Sequence, residues 1–430
     1  MINPLAQELN DSLNGTTPGC LLSDLGQRLY FPKGIIAQSG EAKKLGNVAN
    51  GTIGMTVING KPAILPCIQK LAPELSSGEL IAYAPTAGNP DFRAIWKETL
   101  VKKNPSLRGK NFSLPVVVPG LTAGISYLAD LFLDETKGLV AADPSWDNYV
   151  LIASARRNAP FVQFKAFVNG KFNIEGLKET LEKEAESCSV RVILNFPQNP
   201  SGYSPTKDEA AQIISIIKSL AEKGTKVMVW CDDAYFGLTY EDDIYPQSLF
   251  AELCDVHENV LAVKIDGPTK EDFVWGFRSG FVTFGGKGLS EAHYDAIVKK
   301  LMAAIRSSVS CAATPSQTML LKAYRESEKM EAEKKSYRTV LENRYKAVKN
   351  FVTTHSSSQV TPYPFNSGYF MAFDTKVDAE LLRQKLLKEK GIGTIAIDAH
   401  TLRVAFSSLE EDKINLVYQE IYTAADELAK

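Results

Sequence analysis

The chain has 430 residues, 44% hydrophobic and 23% charged, a composition that excludes extensive disorder and leaves room for about two to three domains. Lys+Arg total 48 against Asp+Glu 50, so the formal net charge of −2 gives no electrostatic case for nucleic acid as a partner. No apolar run reaches the ~18–20 residues of a membrane span, the start of the chain lacks the marks of a secretory signal, and neither C-x-x-C nor H-E-x-x-H occurs. The expectation is a cytoplasmic protein with reduced thiols and no metal site.

Residues 1–60 carry several turn signals (NG, PG, SG) and no long periodic run, which suggests an N-terminal arm plus part of a small domain. From 61 to 325 short apolar runs alternate with helical stretches. The predicted strands are Pro115–Val118, Gly138–Ala142, Val190–Phe196, Lys226–Asp232, Asn259–Ile265 and Gly280–Phe284. Continuous apolar runs of this length suit strands buried on both faces of a mostly parallel sheet. Asp208–Lys223 is a predicted helix between two of them. From about Glu326 the spacing of Tyr337, Val340, Leu341, Tyr345, Val348 and Val352 predicts one long amphipathic helix, with the charges of Glu326–Lys335 on a solvated face. NSGYFMAF, a charged helix and TLRVAFSS complete a small unit over 326–430. The fold class is α/β: a large domain with a mostly parallel sheet sandwiched by helices, plus a smaller α+β domain.

Chemistry concentrates where the strands end. Asn199 lies in NFPQNPSG after the first of three successive strands, Asp232, Asp233 and Tyr235 in CDDAY after the second, and Lys270 just past the third, with Arg278 eight residues on. Open α/β sheets bind ligands at the carboxyl ends of their strands. An aspartate and a lysine brought together there are expected to have perturbed pKa values.

This ordered set, N-P-S-G, D-x-A-Y and a lysine followed by an arginine, resembles the class I/II aminotransferases, pyridoxal-phosphate enzymes of fold type I, nearest the aspartate/aromatic branch. Further matches run along the chain: NGTIGM (Asn50–Met55) containing Gly54, Tyr83 before a Gly-containing turn, Trp146 in DPSWDNY, IRSSVS (Ile305–Ser310) and Arg403 in LRVAF.

The resemblance implies a role for each residue. Lys270 would form the Schiff base with pyridoxal 5'-phosphate and shuttle the proton. Asp232 would pair with the ring nitrogen, while Tyr235 and Asn199 would bind the phenolic oxygen. The phosphate would rest on Arg278, Thr269 and the helix N-terminus formed by Leu121, Thr122 and Ala123. Trp146 would stack on the ring, Arg403 would grip the substrate α-carboxylate, and Gly54 would sit in the substrate loop. Tyr83 would reach the phosphate of the neighbouring subunit, and Arg306 would reach across to a distal substrate carboxylate, so a homodimer is implied. The arm of residues 1–45 would clasp the partner. The activity implied is ping-pong transfer of an amino group between a dicarboxylic or aromatic amino acid and a 2-oxo acid such as 2-oxoglutarate. A lyase or synthase of the same fold shares these motifs and stays open, as does a non-catalytic cofactor-binding relative. Gly267 stands where the family usually has a hydroxyl residue, and Phe273 and Trp275 stand where smaller residues are usual.

Overall fold

The apolar runs assemble into one seven-stranded sheet in the computed structural model of the chain, which describes residues 2–4, 7–8, 11, 35–52, 54, 56–58, 61–63, 65–71 and 74–430. Most of the arm over 1–45, together with Ile53 and Met55 of the substrate loop, lies outside the described residues. The strands are β1 Val116–Val118, β2 Leu139–Asp143, β3 Phe161–Lys165, β4 Ser189–Asn195, β5 Lys226–Asp232, β6 Val260–Asp266 and β7 Gly280–Gly285. Their order is β1-β7-β6-β5-β4-β2-β3. Strand β7 runs antiparallel to both β6 and β1, and the other pairings are parallel.

Successive side chains of a strand point to opposite faces. Val227, Val229 and Cys231 of β5 therefore join one core cluster, with Ile213 and Ile217 of the helix Lys207–Glu222. Met228 and Trp230 join another, with Leu121 and Leu128 of the helix Leu121–Phe132. That two-sided burial is why the runs are continuous. Strand β3 is the exception: Phe161–Lys165 reads FVQFK, only Phe164 is fully buried, and an edge strand needs no continuous apolar run.

The second sheet, four antiparallel strands in the order β8-β9-β11-β10, is built from β8 Val360–Pro362, β9 Phe370–Thr375, β10 Ile395–Ala396 and β11 Thr401–Ala405. The helices Ala379–Lys390 and Ile414–Leu428 pack with it in a third apolar cluster. The N-terminal region reaches this side of the molecule. Ala49–Asn50 pairs in parallel with Ile392–Gly393, and the Gln38 side chain exchanges two hydrogen bonds with the Ala396 backbone, at 2.9 and 2.8 Å. The Ser39-Gly40 pair, a turn signal in the sequence, lies inside the helix Ile35–Leu45. Docking through Gln38 and a Glu41–Arg383 ion pair at 2.8 Å overrides the weak local propensity.

The long helix spans Ser327–Thr354. One expectation for it fails: Lys334, within the supposed solvated face, is 0% exposed. It lies on the same stripe as Met330 and Leu341 and pairs with Asp272 at 2.7 Å, and a buried charge is tolerated when it is paired.

The two sheets meet at Gly202. Its φ is 78°, its carbonyl accepts from the backbone N–H groups of Asn366 and Ser367, and a Cβ there would lie 1.9 Å from the Phe370 carbonyl oxygen. We expect Gly202→Ala to lower the unfolding free energy by more than about 2 kcal/mol in urea denaturation, because the left-handed backbone alone costs roughly that much before the clash is added.

Candidate active site

Parallel pairing sets the ends of three strands level. Asp232 at the end of β5 stands opposite Asn195 of β4 on one side and Ile265 of β6 on the other. Asn195 holds the turn that follows it: its Nδ2 donates to the Asp232 carbonyl at 2.8 Å and its Oδ1 accepts from the Asn199 N–H at 2.8 Å. Asn199, Asp232, Tyr235, Thr269, Lys270 and Arg278 then line one cavity of about 450 Å³, together with Gly54, Leu121, Thr122, Trp146 and Arg403.

The Asp232 carboxylate forms part of the cavity wall and is 3% exposed. Burial pushes its pKa up to about 6, although hydrogen bonds from the Tyr149 hydroxyl and the Ala234 N–H and the charge of Lys270 favour the ionised form. Asp233 faces away. Its carboxylate accepts from Ser248 Oγ at 2.6 Å and pairs with buried Lys264 on β6, so it serves the core and not the cavity. Lys264 itself is depressed by burial, but Asp233 and Asp266 outweigh that and hold its pKa above the ordinary value.

Lys270 sits on the short helix Pro268–Glu271, its Nζ 5.1 Å from the centre of the Tyr235 ring. Burial lowers its pKa to about 8; Asp232 acts against that shift and Arg278 reinforces it. The neutral fraction of this amine at pH 7 is therefore far larger than an ordinary lysine's. Burial raises the Tyr235 phenol well above its usual range.

At the other end of the cavity the helix Leu121–Phe132 begins, and helix geometry leaves its first N–H groups without intrahelical partners. Gly120 precedes it with φ 85°, a left-handed backbone that favours glycine, and a Cβ there would lie 2.3 Å from Arg278 Nη2 and displace the guanidinium from its present seat. Ala123 does not line the cavity; its side chain packs against the neighbouring core. Thr269 is buried, with its hydroxyl donating to the Ser279 carbonyl at 3.2 Å. Packing explains Gly267: a Cβ at that position would meet the Gly280 Cα at 2.9 Å and the Ser279 oxygen at 3.0 Å.

Besides Ala123, two expected residues lie outside the cavity of this chain. Tyr83 is 91% exposed, and Arg306, the last residue of the helix Glu291–Arg306, is exposed and donates to Ser310 Oγ. The structure also adds residues that motif reading missed. Tyr149 is buried, edge-on to Trp146 with ring centres 5.4 Å apart, and its hydroxyl binds Asp232. The signal was the tyrosine three residues after Trp146 in DPSWDNY. Phe370 of β9 lies 4.3 Å from the Arg403 guanidinium, and Ser39 reaches the cavity from the helix Ile35–Leu45.

Residues 55–421 match the model of the family described as aminotransferase class I and II. The chain belongs to this family. An aspartate aminotransferase of Sulfolobus acidocaldarius is 23% identical over 380 residues, covering 85% of this chain and 88% of that protein. The crystal structure of an aminotransferase from Anaerococcus prevotii superposes with a TM-score of 0.85 at 22% identity, over 94% of this chain and 99% of that one. A Pyrococcus horikoshii kynurenine aminotransferase gives a TM-score of 0.79 at 16% identity, over 96% and 99%.

This aminotransferase uses pyridoxal phosphate, which supplies an aldehyde that takes up the substrate amine and a ring that withdraws electrons from it. The cavity suits that cofactor. A depressed amine, a buried carboxylate, a guanidinium and a helix N-terminus share one wall system, and Trp146 offers a flat apolar face. Among the described residues no helix is long and apolar enough to cross a membrane, and no cluster could hold a metal ion.

Tyr149 bears directly on Asp232. Removing a hydrogen bond to a charged group loses about 1.5–3 kcal/mol, equivalent to about one to two pH units. The bond favours the ionised carboxylate, so its loss raises the pKa. In the cofactor-free protein we expect Tyr149→Phe to move the Asp232 titration upward from about 6 by that amount, as followed by carbon NMR of labelled aspartate.

Proposed function

We propose that this aminotransferase belongs to the aspartate/aromatic branch and moves an amino group between a dicarboxylic or aromatic amino acid and a 2-oxo acid such as 2-oxoglutarate. Arg403 carries the reading. It is 2% exposed, donates from Nη1 to Asn199 Oδ1 at 2.9 Å and from Nη2 to the Thr52 carbonyl at 3.1 Å, and its Nε has no partner among the described residues. Burial lowers its pKa to about 10, with Tyr235 and Asp147 acting the other way. A guanidinium held by neutral oxygens in the same cavity as Lys270 suits the α-carboxylate of an amino acid, because the incoming anion offsets the desolvation already incurred.

In this reading Lys270 binds the cofactor and moves the proton at the substrate α-carbon. Asp232 keeps the proton on the ring nitrogen, Tyr235 and Asn199 bind the phenolic oxygen, and Arg278, Thr269 and the N–H groups of residues 121–123 hold the phosphate. The aspartate aminotransferases of Sulfolobus acidocaldarius and Pyrococcus horikoshii among the relatives support the donor class. We assign 61–325 as the cofactor domain, 326–430 as the small domain and 1–60 as an arm shared with it. The chain acts as a homodimer: Leu80, Ile81, Tyr83 and Val309 are exposed apolar residues, and Tyr83 and Arg306 are exposed and do not line their own chain's cavity, which leaves them free to serve a second copy. Unpaired thiols at Cys67, Cys188, Cys231, Cys254 and Cys311 agree with a cytoplasmic location.

Lys270→Ala is expected to fold and to lose essentially all transamination. Borohydride reduction of the wild-type holoenzyme, read by peptide mass spectrometry, is expected to tag Lys270; a tag on another lysine overturns the assignment. For Arg306→Ala, steady-state kinetics are expected to show kcat/KM for aspartate or glutamate reduced by about 3–5 kcal/mol, with a far smaller loss for an aromatic donor. Equal losses for both would make Arg306 structural.

A further inference from the structure

Two carboxylates directly follow Lys270, and neither lines the cavity. Glu271 and Asp272 are buried, Asp272 at 0% exposure. Three cations from two helices converge on them. Lys103, at the end of the helix Pro90–Lys103, lies 2.7 Å from Glu271; Lys334 of the long helix lies 2.7 Å from Asp272 and 3.6 Å from Glu271; Arg338, one turn on, lies 3.1 Å from Glu271. The Tyr324 hydroxyl donates to the second Asp272 oxygen, and Glu331 adds a contact to Lys334 at 3.0 Å. Phe273 completes the turn. It takes φ 58°, a left-handed conformation unusual for a bulky residue, and packs on Tyr337 with ring centres 5.1 Å apart. Lys334, Tyr337 and Arg338 are spaced by three and four, so one face of the long helix holds residues 271–273. From the other side, the Tyr369 hydroxyl donates to the Lys270 carbonyl at 2.8 Å.

A buried ion-pair network of this kind adds little stability over an apolar packing of the same shape. Its placement against the reactive lysine is what needs a reason. We propose that the Lys334–Asp272 ion pair is a positioning device for Lys270, locking the turn after the lysine to the long helix and so aiming its amine into the cavity. The long helix runs on toward the second sheet, and Tyr369 immediately precedes β9, so the same lock ties the lysine to the part of the molecule that carries Arg403. This rests on the reading of Lys270 as the cofactor lysine.

The test compares Asp272→Asn, Lys334→Met and Lys334→Arg with the wild type. Asp272→Asn and Lys334→Met are expected to lower kcat at least tenfold while KM for the amino donor stays within threefold. Lys334→Arg is expected to recover at least half of the wild-type kcat. A second readout uses the cofactor-free protein, in which the Lys270 amine faces Asp232 and Arg278. There the pH midpoint for acetylation of Lys270 by acetic anhydride, read by mass spectrometry, is expected to rise from about 8 toward the ordinary lysine value as the amine leaves its buried seat. Folded variants that lose thermal stability but change neither kcat nor the labelling midpoint overturn the proposal. Should Lys334→Met fail to fold, the nearly isosteric Asp272→Asn decides alone. A wild-type borohydride tag on a different lysine overturns the reading of the site, whereas a tag on Lys270 with unchanged variants overturns only the positioning role.

Discussion

A carboxylate buried at the end of a central strand organises this molecule. Asp232 sits where β4, β5 and β6 end level, 3% exposed, with the cavity as its one opening among the described residues. The Tyr149 hydroxyl and the Ala234 N–H meet its oxygens, yet burial still raises its pKa. A cationic or proton-donating group brought into the cavity would offset that desolvation. Lys270 is the complementary case, an amine that burial drives toward its neutral form. The strand pairing that brings the two to one edge thus shifts both pKa values toward neutrality before any ligand binds.

The remainder of the cavity comes from closing a second sheet over the first. Phe370 of β9 and Arg403 of β11 supply the wall opposite the strand ends, and Arg403 donates its hydrogen bonds to Asn199 and Thr52, residues about 200 and 350 positions away. Gly202 permits the contact, since any side chain there would collide with the β9 backbone. The lysine is held from both sides of this joint, by Tyr369 at its carbonyl and by the long helix through Asp272. Binding site and domain contact are in this sense one structure.

Legibility followed burial. The strands buried on both faces were readable to within a residue or so because two-sided packing demands an unbroken apolar run; β3, exposed at the sheet edge, left no such trace. The helix Ile35–Leu45 was hidden by Ser39-Gly40, since its stability comes from tertiary contacts of Gln38 and Glu41. Lys334 was misread for a related reason. A lysine on a charged helix looks solvated until a carboxylate far away in sequence is placed against it. Gly267 looked like a missing ligand, whereas the close approach of Gly280 leaves no room there for a side chain.

By itself the sequence determined the fold class, the family resemblance and the order of the polar residues along the strand ends. Those follow from local rules: apolar period, turn chemistry and spacing, all carried by neighbours in the chain. Only the tertiary structure decided that Asp233 turns to Ser248 and Lys264 in the core, that Tyr149 binds Asp232, and that Arg403 lies buried among neutral oxygens. It also decided that Tyr83 and Arg306 stay outside their own chain's cavity. The reason is physical. The direction of a side chain and the desolvation it suffers depend on atoms brought close by folding, and separation along the chain carries no information about either.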